Sequence, residues 1–218
     1  MDERERIDLI LRRLDEHYGR LFVCELNYRT PWQLLFAVML SVQCRGQQVN
    51  RVTGRLFVSY PTLEAIAGAD VAEIENQIHS LGFYHSKARN LIASARILLA
   101  KYGGQVPRRL EDLTVLPGVG RRTATVIRGI LYQEPGIVVD THVKRVSRNL
   151  GFTEEEDSER VEYDLMQVLP KNHWNDYNNQ ITTHGRSLCP AGSPLCGVCF
   201  LNELCPAGDC FWFREYQD

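Results

Sequence analysis

Four cysteines in the last thirty residues stand at Cys189-x6-Cys196-x2-Cys199-x5-Cys205. Pro190, Gly192, Pro194, Gly197 and Pro206 interrupt the segment around them, so a short loop can wrap four thiolates about one compact metal centre. Zinc sites more often use two Cys-x2-Cys knuckles, and here only Cys196 and Cys199 are that close. The spacing alone leaves zinc and an iron–sulfur cluster both open. Cys24, Cys44 and Cys210 fall outside the set and read as ordinary buried or partly buried thiols. Further upstream, the apolar stretch Val138-Val139 ends in Asp140, and Thr141-His142-Val143-Lys144-Arg145-Val146 begins a helix. An Asp at that point can cap the helix. A carboxylate there can also stabilise positive charge on a reacting group or take a proton from water. Amides or cations beside it would keep it ionised. A third pattern, Leu116-Pro117-Gly118-Val119-Gly120-Arg121-Arg122-Thr123-Ala124, joins a short helical stretch (Leu110 to Val115) to a helix reaching about Leu131. Gly118 and Gly120 let the backbone turn tightly and present amide N–H groups at a helix N-terminus, an arrangement suited to a phosphate. The same residues would also serve as a plain helix–helix turn.

The elements that position these groups read as helices almost throughout. Ile7, Leu9, Ile10, Leu11 and Leu14 make one helical stripe, and Trp32, Leu34, Leu35, Val38, Met39 and Val42 are apolar nearly all round, as in a central helix. Val52, Leu56 and Phe57 suggest another helix, stopping before Pro61, with Thr62 capping the next. Val71-Ala72-Glu73-Ile74 and Lys87-Ala88-Arg89-Asn90-Leu91-Ile92 open two more, the second closing at Gly103-Gly104. Only Gly136-Ile137-Val138-Val139 has a brief strand-like character. The expected class is all-α, without internal repeats or long linkers.

The chain of 218 residues has ordinary globular composition, 44% apolar and 24% charged. Its longest apolar run, Trp32 to Val42, is too short to span a membrane. The opening Met1-Asp2-Glu3-Arg4-Glu5-Arg6 lacks the apolar core of a secretory signal, so the expected setting is cytoplasmic and nucleoid-associated, without a membrane partner. In that setting seven cysteines, five of them crowded at one end, favour metal binding over disulfides. A net charge of −2 does not argue for nucleic acid, but binding needs only a local basic patch. Amine chemistry has four side chains to draw on: Lys87, Lys101, Lys144 and Lys171.

Taken together, Leu40-Ser41-Val42-Gln43, Gly82-Phe83-Tyr84-His85-Ser86-Lys87-Ala88, the Leu-Pro-Gly-Val-Gly-Arg hairpin, Val139-Asp140-Thr141-His142, His184-Gly185-Arg186 and the four-cysteine loop resemble the endonuclease III family of helix-hairpin-helix (HhH-GPD) DNA glycosylases. The resemblance runs along nearly the whole chain. It implies a [4Fe–4S] cluster on Cys189, Cys196, Cys199 and Cys205. It implies a six-helix lobe over residues 27–133 and a second lobe from residues 1–26 with 134–218, carrying the cluster loop 189–205, with a DNA-binding cleft between them. The partner implied is double-stranded DNA containing a damaged or mispaired base, bound by a monomer. A glycosylase must flip its target nucleotide out of the stack, and by resemblance Gln43 and the Phe83 region fill the space left behind. Phe83 stands where an aliphatic wedge is usual, and packing in the core is its other reading. Asp140 becomes the catalytic carboxylate, and Gly118, Gly120, Arg121, Lys144 and Arg145 become DNA contacts.

One position departs from the pattern. Bifunctional members carry a lysine after Gly-Val-Gly-Arg whose amine forms a Schiff base with the sugar; here it is Arg122. A guanidinium stays protonated and has no lone pair suited to attack. The leading expectation is a monofunctional glycosylase in which Asp140 activates water and Arg122 contacts phosphate or the flipped nucleotide. The others are an enzyme using Lys144 as substitute amine, four residues after Asp140 on the same helical face, and an inactive DNA-binding paralogue. Adenine glycosylases of the superfamily also lack the lysine, but they carry an acid at a position matching Ala37, and Trp32–Leu40 contains no Asp or Glu. Cys44-Arg45-Gly46 replaces the Thr-Asp usual after the plug glutamine, which hints at altered base choice. An oxidised or deaminated pyrimidine is the default substrate, and a modified purine the alternative. A zinc-binding interaction module would lack the visible absorbance of thiolate–iron bonds. His142 and His184 are expected to be structural hydrogen-bonding residues, Arg148 and Arg186 backbone contacts, and Trp32, Trp174 and Trp212 packing residues.

Overall fold

The computed structural model describes residues 1–20 and 24–208; Cys210 and Trp212 lie outside them. In chain order the described α-helices are α1 (Glu3–Tyr18), α2 (Pro31–Ser41), α3 (Gly46–Ser59), α4 (Leu63–Ala67), α5 (Val71–Ile78), α6 (Tyr84–Tyr102), α7 (Leu110–Thr114), α8 (Arg121–Tyr132), α9 (Thr141–Asn149), α10 (Ser158–Val168) and α11 (Trp174–Ser187). Short 3-10 turns occur at Lys171–His173, Cys196–Val198 and Asn202–Leu204. No strand occurs among the described residues, and the all-α class stands.

The chain divides into two compact units, Cys24–Glu134 and a second made of Met1–Val23 with Pro135–Asp218. The first holds seven helices where the resemblance implies six, two of the seven being only five residues long. Its centre is α2, buried continuously from Gln33 to Leu40, because the sequence there offers no polar face to solvent. Thr30 caps α2 and Pro31 occupies its first turn, where a missing N–H costs nothing. The core of this unit joins Leu34, Leu35 and Phe36 to Val52, Leu56, Ile74, Leu91, Leu98, Leu113 and Ile127 from the surrounding helices. Thr62 caps α4 through the Ala65 amide, and Gly103 ends α6 with a left-handed φ of 56°.

The second unit has a separate core built from Ile7, Ile10, Leu11 and Leu14 of α1 with Val143, Val146, Val161, Leu165, Tyr177 and Ile181. Asp2 and Glu5 close a capping box at the start of α1. Gly185 lies where α11 passes close to α9: a Cβ there would meet the His142 side chain at 3.0 Å.

Gly136-Ile137-Val138-Val139, the one strand-like stretch of the sequence, pairs with no strand among the described residues. Its backbone is held by side chains of α11. Asn175 Oδ1 accepts from Gly136 N at 3.1 Å, Asn178 Oδ1 accepts from Val138 N at 2.9 Å, and Asn178 Nδ2 donates to Gly136 O at 2.9 Å. An amide side chain can satisfy a donor and an acceptor of one backbone segment at once, which is what a neighbouring strand would otherwise do. Asn178 is buried, so its bonds are not shared with water. Asp140 follows directly after Val139. Replacing Asn178 by Ala strands Gly136 O and Val138 N and should lower stability to urea unfolding by about 1–3 kcal/mol. A variant as stable as the parent would contradict this role.

Candidate functional site

In the unit Cys24–Glu134 the hairpin between α7 and α8 is set by Leu116 and Val119. Both are buried, and Val119 N donates to Leu116 O at 3.0 Å. Gly118 has φ +81°, which favours glycine, and a Cβ on it would stand 2.6 Å from Asn90 Nδ2 of α6, so that side chain would have to shift. Gly120 differs. Its φ is −83°, and nothing lies within 4 Å of where its Cβ would be. The protein itself does not need glycine at 120; open space beside an exposed backbone is where a ligand backbone can approach closely. Gly120 is the N-cap of α8 and offers no side-chain cap, so Arg121 and Arg122 open the helix as exposed residues of its first turn. The positive end of the α8 dipole and two cationic residues in its first turn together suit an anion.

Two other residues of this unit stand out by backbone conformation. Gln43, just after α2, and Phe83, just before α6, both have left-handed φ (57° and 59°), a conformation uncommon for residues other than glycine. Both are exposed; Phe83 retains 68% of its accessible surface, which removes the core reading for it. Ala37, by contrast, is fully buried in α2.

In the other unit, Asp140 is the N-cap of α9. Its Oδ1 accepts from the amides of His142 (2.8 Å) and Val143 (2.7 Å), while Oδ2 accepts a longer bond of 3.4 Å from the Thr182 hydroxyl. The capping function and a chemical one are compatible, since the cap engages mainly one oxygen. Lys144, on the same helix, extends its Nζ to Glu156 O at 3.0 Å. Arg145 turns into the protein: its Nη2 donates to Gly185 O (2.8 Å) and Cys189 O (2.7 Å) and lies 3.2 Å from His142 Nδ1. It braces α9 against the end of α11 and the start of the cysteine loop, a role the sequence did not reveal. Arg148 is exposed and paired with Glu156 at 3.0 Å.

All four expected metal-ligating cysteines line one cavity, with His184, Leu188, Asn149 and Leu201 around them. Burial raises the thiols of Cys199 and Cys205, the latter to about 11, and neighbouring cysteines add to the rise. A bound cationic centre would take them as thiolates and remove that penalty. The surroundings already direct donors at sulfur. Asn149 Nδ2 donates to Cys189 Sγ at 3.4 Å, Leu201 N donates to Cys199 Sγ at 3.4 Å, and His184 Nε2 lies 3.6 Å from Cys199 Sγ. Burial holds His184 neutral, its pKa lowered to about 4 with His17 contributing; its Nδ1 is 3.1 Å from the Tyr18 hydroxyl. Among the described residues no three His, Cys, Asp or Glu side chains are arranged to grip a single ion. A polynuclear cluster, in which each thiolate has its own iron, does not require that convergence. The donor set and the sulfur-directed hydrogen bonds fit such a group.

Residues 36–171 match the HhH-GPD superfamily base excision DNA repair protein family. The chain belongs to that superfamily. It is 47% identical over 188 residues to the endonuclease III of Synechocystis sp., covering 84% of each chain, and 38% identical over 205 residues to that of Escherichia coli K12, covering 94% of this chain and 96% of the relative. Its fold superposes with a TM-score of 0.89 on an endonuclease III trapped as a covalent intermediate with DNA, at 39% identity over 97% of this chain and all of the other. The chain is thus an endonuclease III-like base excision repair DNA glycosylase.

The hairpin glycines should separate in a test. Gly118→Ala should destabilise the fold by about 1–3 kcal/mol from positive φ and crowding against Asn90. Gly120→Ala should leave the melting temperature within a few degrees and weaken binding to a short duplex. Equal effects of the two on stability would contradict the assignment.

Proposed function

We propose that this glycosylase is monofunctional: it hydrolyses the bond between a damaged or mispaired base and its sugar, with little or no strand cleavage. Arg122 carries this reading. Its endonuclease III relative was trapped covalently with DNA, and the family's covalent step needs a neutral amine at the position of Arg122. A guanidinium cannot provide one. Arg122 instead lends positive charge to the start of α8, where it contacts phosphate or the extruded nucleotide together with Arg121 and the Gly118–Gly120 backbone. Such contacts position the duplex and do not read its sequence.

The chemistry then falls to Asp140. As the N-glycosidic bond lengthens, its electron pair leaves with the base and positive charge grows on the sugar. A carboxylate nearby stabilises that charge. Oδ2, the oxygen less engaged by the α9 amides, accepts a proton from water as the water oxygen bonds to C1′, leaving an abasic sugar. Gln43 and Phe83 occupy the gap left by the flipped nucleotide, and the exposed ring of Phe83 stacks on neighbouring bases. Cys189, Cys196, Cys199 and Cys205 would hold a [4Fe–4S] cluster that closes the 189–205 loop on itself. The protein acts as a monomer in the cytoplasm, on the nucleoid. The substrate is an oxidised or deaminated pyrimidine in duplex DNA, with a modified purine the alternative, because Cys44-Arg45-Gly46 alters the segment after Gln43.

Incubating the protein with duplexes that each carry one modified or mispaired base, with products resolved before and after hot alkali, tests this reading. Breaks appearing only after alkali are expected, and the cleaved duplex names the base. Asp140→Asn should reduce that excision by roughly 100-fold or more. Breaks without alkali, or full activity in Asp140→Asn, would contradict it, and binding without any base loss would favour an inactive paralogue.

A further inference from the structure

Lys87 is a lysine in an unusual place. It retains only 8% of its accessible surface, on the buried face of α6. Its Nζ donates to Leu40 O at 2.9 Å and Val42 O at 2.8 Å, and lies 3.2 Å from Cys44 Sγ. An ammonium has three protons to give and no acceptor of its own, and here three acceptors receive them. All three belong to the five residues that bracket Gln43. The C-terminal carbonyls of α2 would otherwise be left without partners, and a buried cation at that end also complements the helix dipole.

The same lysine is joined to the other exposed tip. Its backbone N–H donates to Phe83 O at 3.0 Å, and Ser86 Oγ donates to the same carbonyl at 2.9 Å. Gln48 of α3 adds a second link by donating to Ser80 O. The two left-handed residues, Gln43 and Phe83, thus hang from one side chain and one helical turn. Farther along the same stripe, Asn90 packs against Gly118, and Ser94 Oγ donates to Pro117 O at 3.1 Å. Positions 87, 90 and 94 follow helical spacing, so one face of α6 braces the Gln43 loop, the Phe83 turn and the hairpin.

We propose that Lys87 is a positioning residue for base extrusion, holding the Gln43 and Phe83 tips in register so that both enter the duplex together. A side chain inserted into a base stack must arrive within about an ångström of its place, and misplacement of that size costs up to about 100-fold in rate. Free loops would have to be ordered during extrusion, adding their entropy to the cost of unstacking. This inference rests on the reading of Gln43 and Phe83 as residues that fill the stack.

The test is a double-mutant cycle of Gln43→Ala and Lys87→Met on a duplex carrying thymine glycol, or whichever base the substrate panel selects. Single-turnover excision is measured at saturating enzyme, and a 2-aminopurine beside the lesion reports unstacking. Gln43→Ala alone should slow excision; unchanged excision would overturn the wedge reading and this inference with it. Lys87→Met should lower the excision rate and the 2-aminopurine signal by roughly 10- to 100-fold, with affinity for undamaged duplex unchanged. The double variant should be little worse than the slower single one. If Gln43→Ala slows excision but the two effects multiply, the wedge reading stands and the Lys87 role falls. Should Lys87→Met not fold, Lys87→Arg keeps a buried charge, yet its planar fork cannot reproduce three donors around one point. That variant should fold and excise at least about tenfold more slowly; excision at the parent rate would overturn the proposal.

Discussion

The first turn of α9 fixes one carboxylate, that of Asp140, and the proposed chemistry depends on it. Two amides, from His142 and Val143, fix Oδ1 of Asp140 within 2.8 Å, and the Thr182 hydroxyl touches Oδ2 more loosely. A helix N-terminus is a natural place to hold an anion, because its first amides lack partners within the helix. Among the described residues the segment leading to Asp140 has no strand beside it, and Asn175 and Asn178 bond its backbone instead. Behind α9, Arg145 and the close passage of Gly185 tie the helix to α11 and to the cysteine loop. The acid, its supporting asparagines and the thiols form one connected structure inside one unit.

On the same proposal the other unit has a different task, the presentation of backbone and side chains to a polyanion. It does so from a dense core around α2 and one stripe of α6. The hairpin glycines divide this work. Gly118 satisfies the protein's own geometry, while Gly120 leaves space open on the outside. Arg121 and then Arg122 follow that space. On the proposed reading, an arginine at 122, where bifunctional members carry a lysine, leaves phosphate binding possible and removes amine attack from that position.

Much of this was legible in the residues. The all-helical class followed from the apolar spacing, and the Thr62 cap and the Gly103 terminus were placed by residue type alone. The spacing of the four cysteines marked a metal centre without naming the metal, and Gly118 and Gly120 marked a tight turn without naming its use. Asp140 could be read as a cap or as a catalytic acid, and local sequence cannot separate two roles that one carboxylate can hold together. Other features were hidden because they depend on partners distant in sequence. Gly136–Val139 looked like a strand because an extended apolar segment has the same period whether its neighbour is a strand or a pair of asparagines some forty residues away. Arg145 resembled a surface contact, but its acceptors lie in α11 and the cysteine loop. Lys87 gave no sign of burial, since its acceptors lie more than forty residues earlier.

The central claim is that base release here proceeds without a bond between protein and DNA. Borohydride reduction during turnover converts any Schiff base into a permanent adduct, which mass spectrometry can assign to a residue. Applied to the parent protein and to Arg122→Lys on the same substrate duplex, the account predicts no adduct for the parent and an adduct at position 122 for the variant. An adduct on the parent, at Lys144 or any other amine, would contradict it.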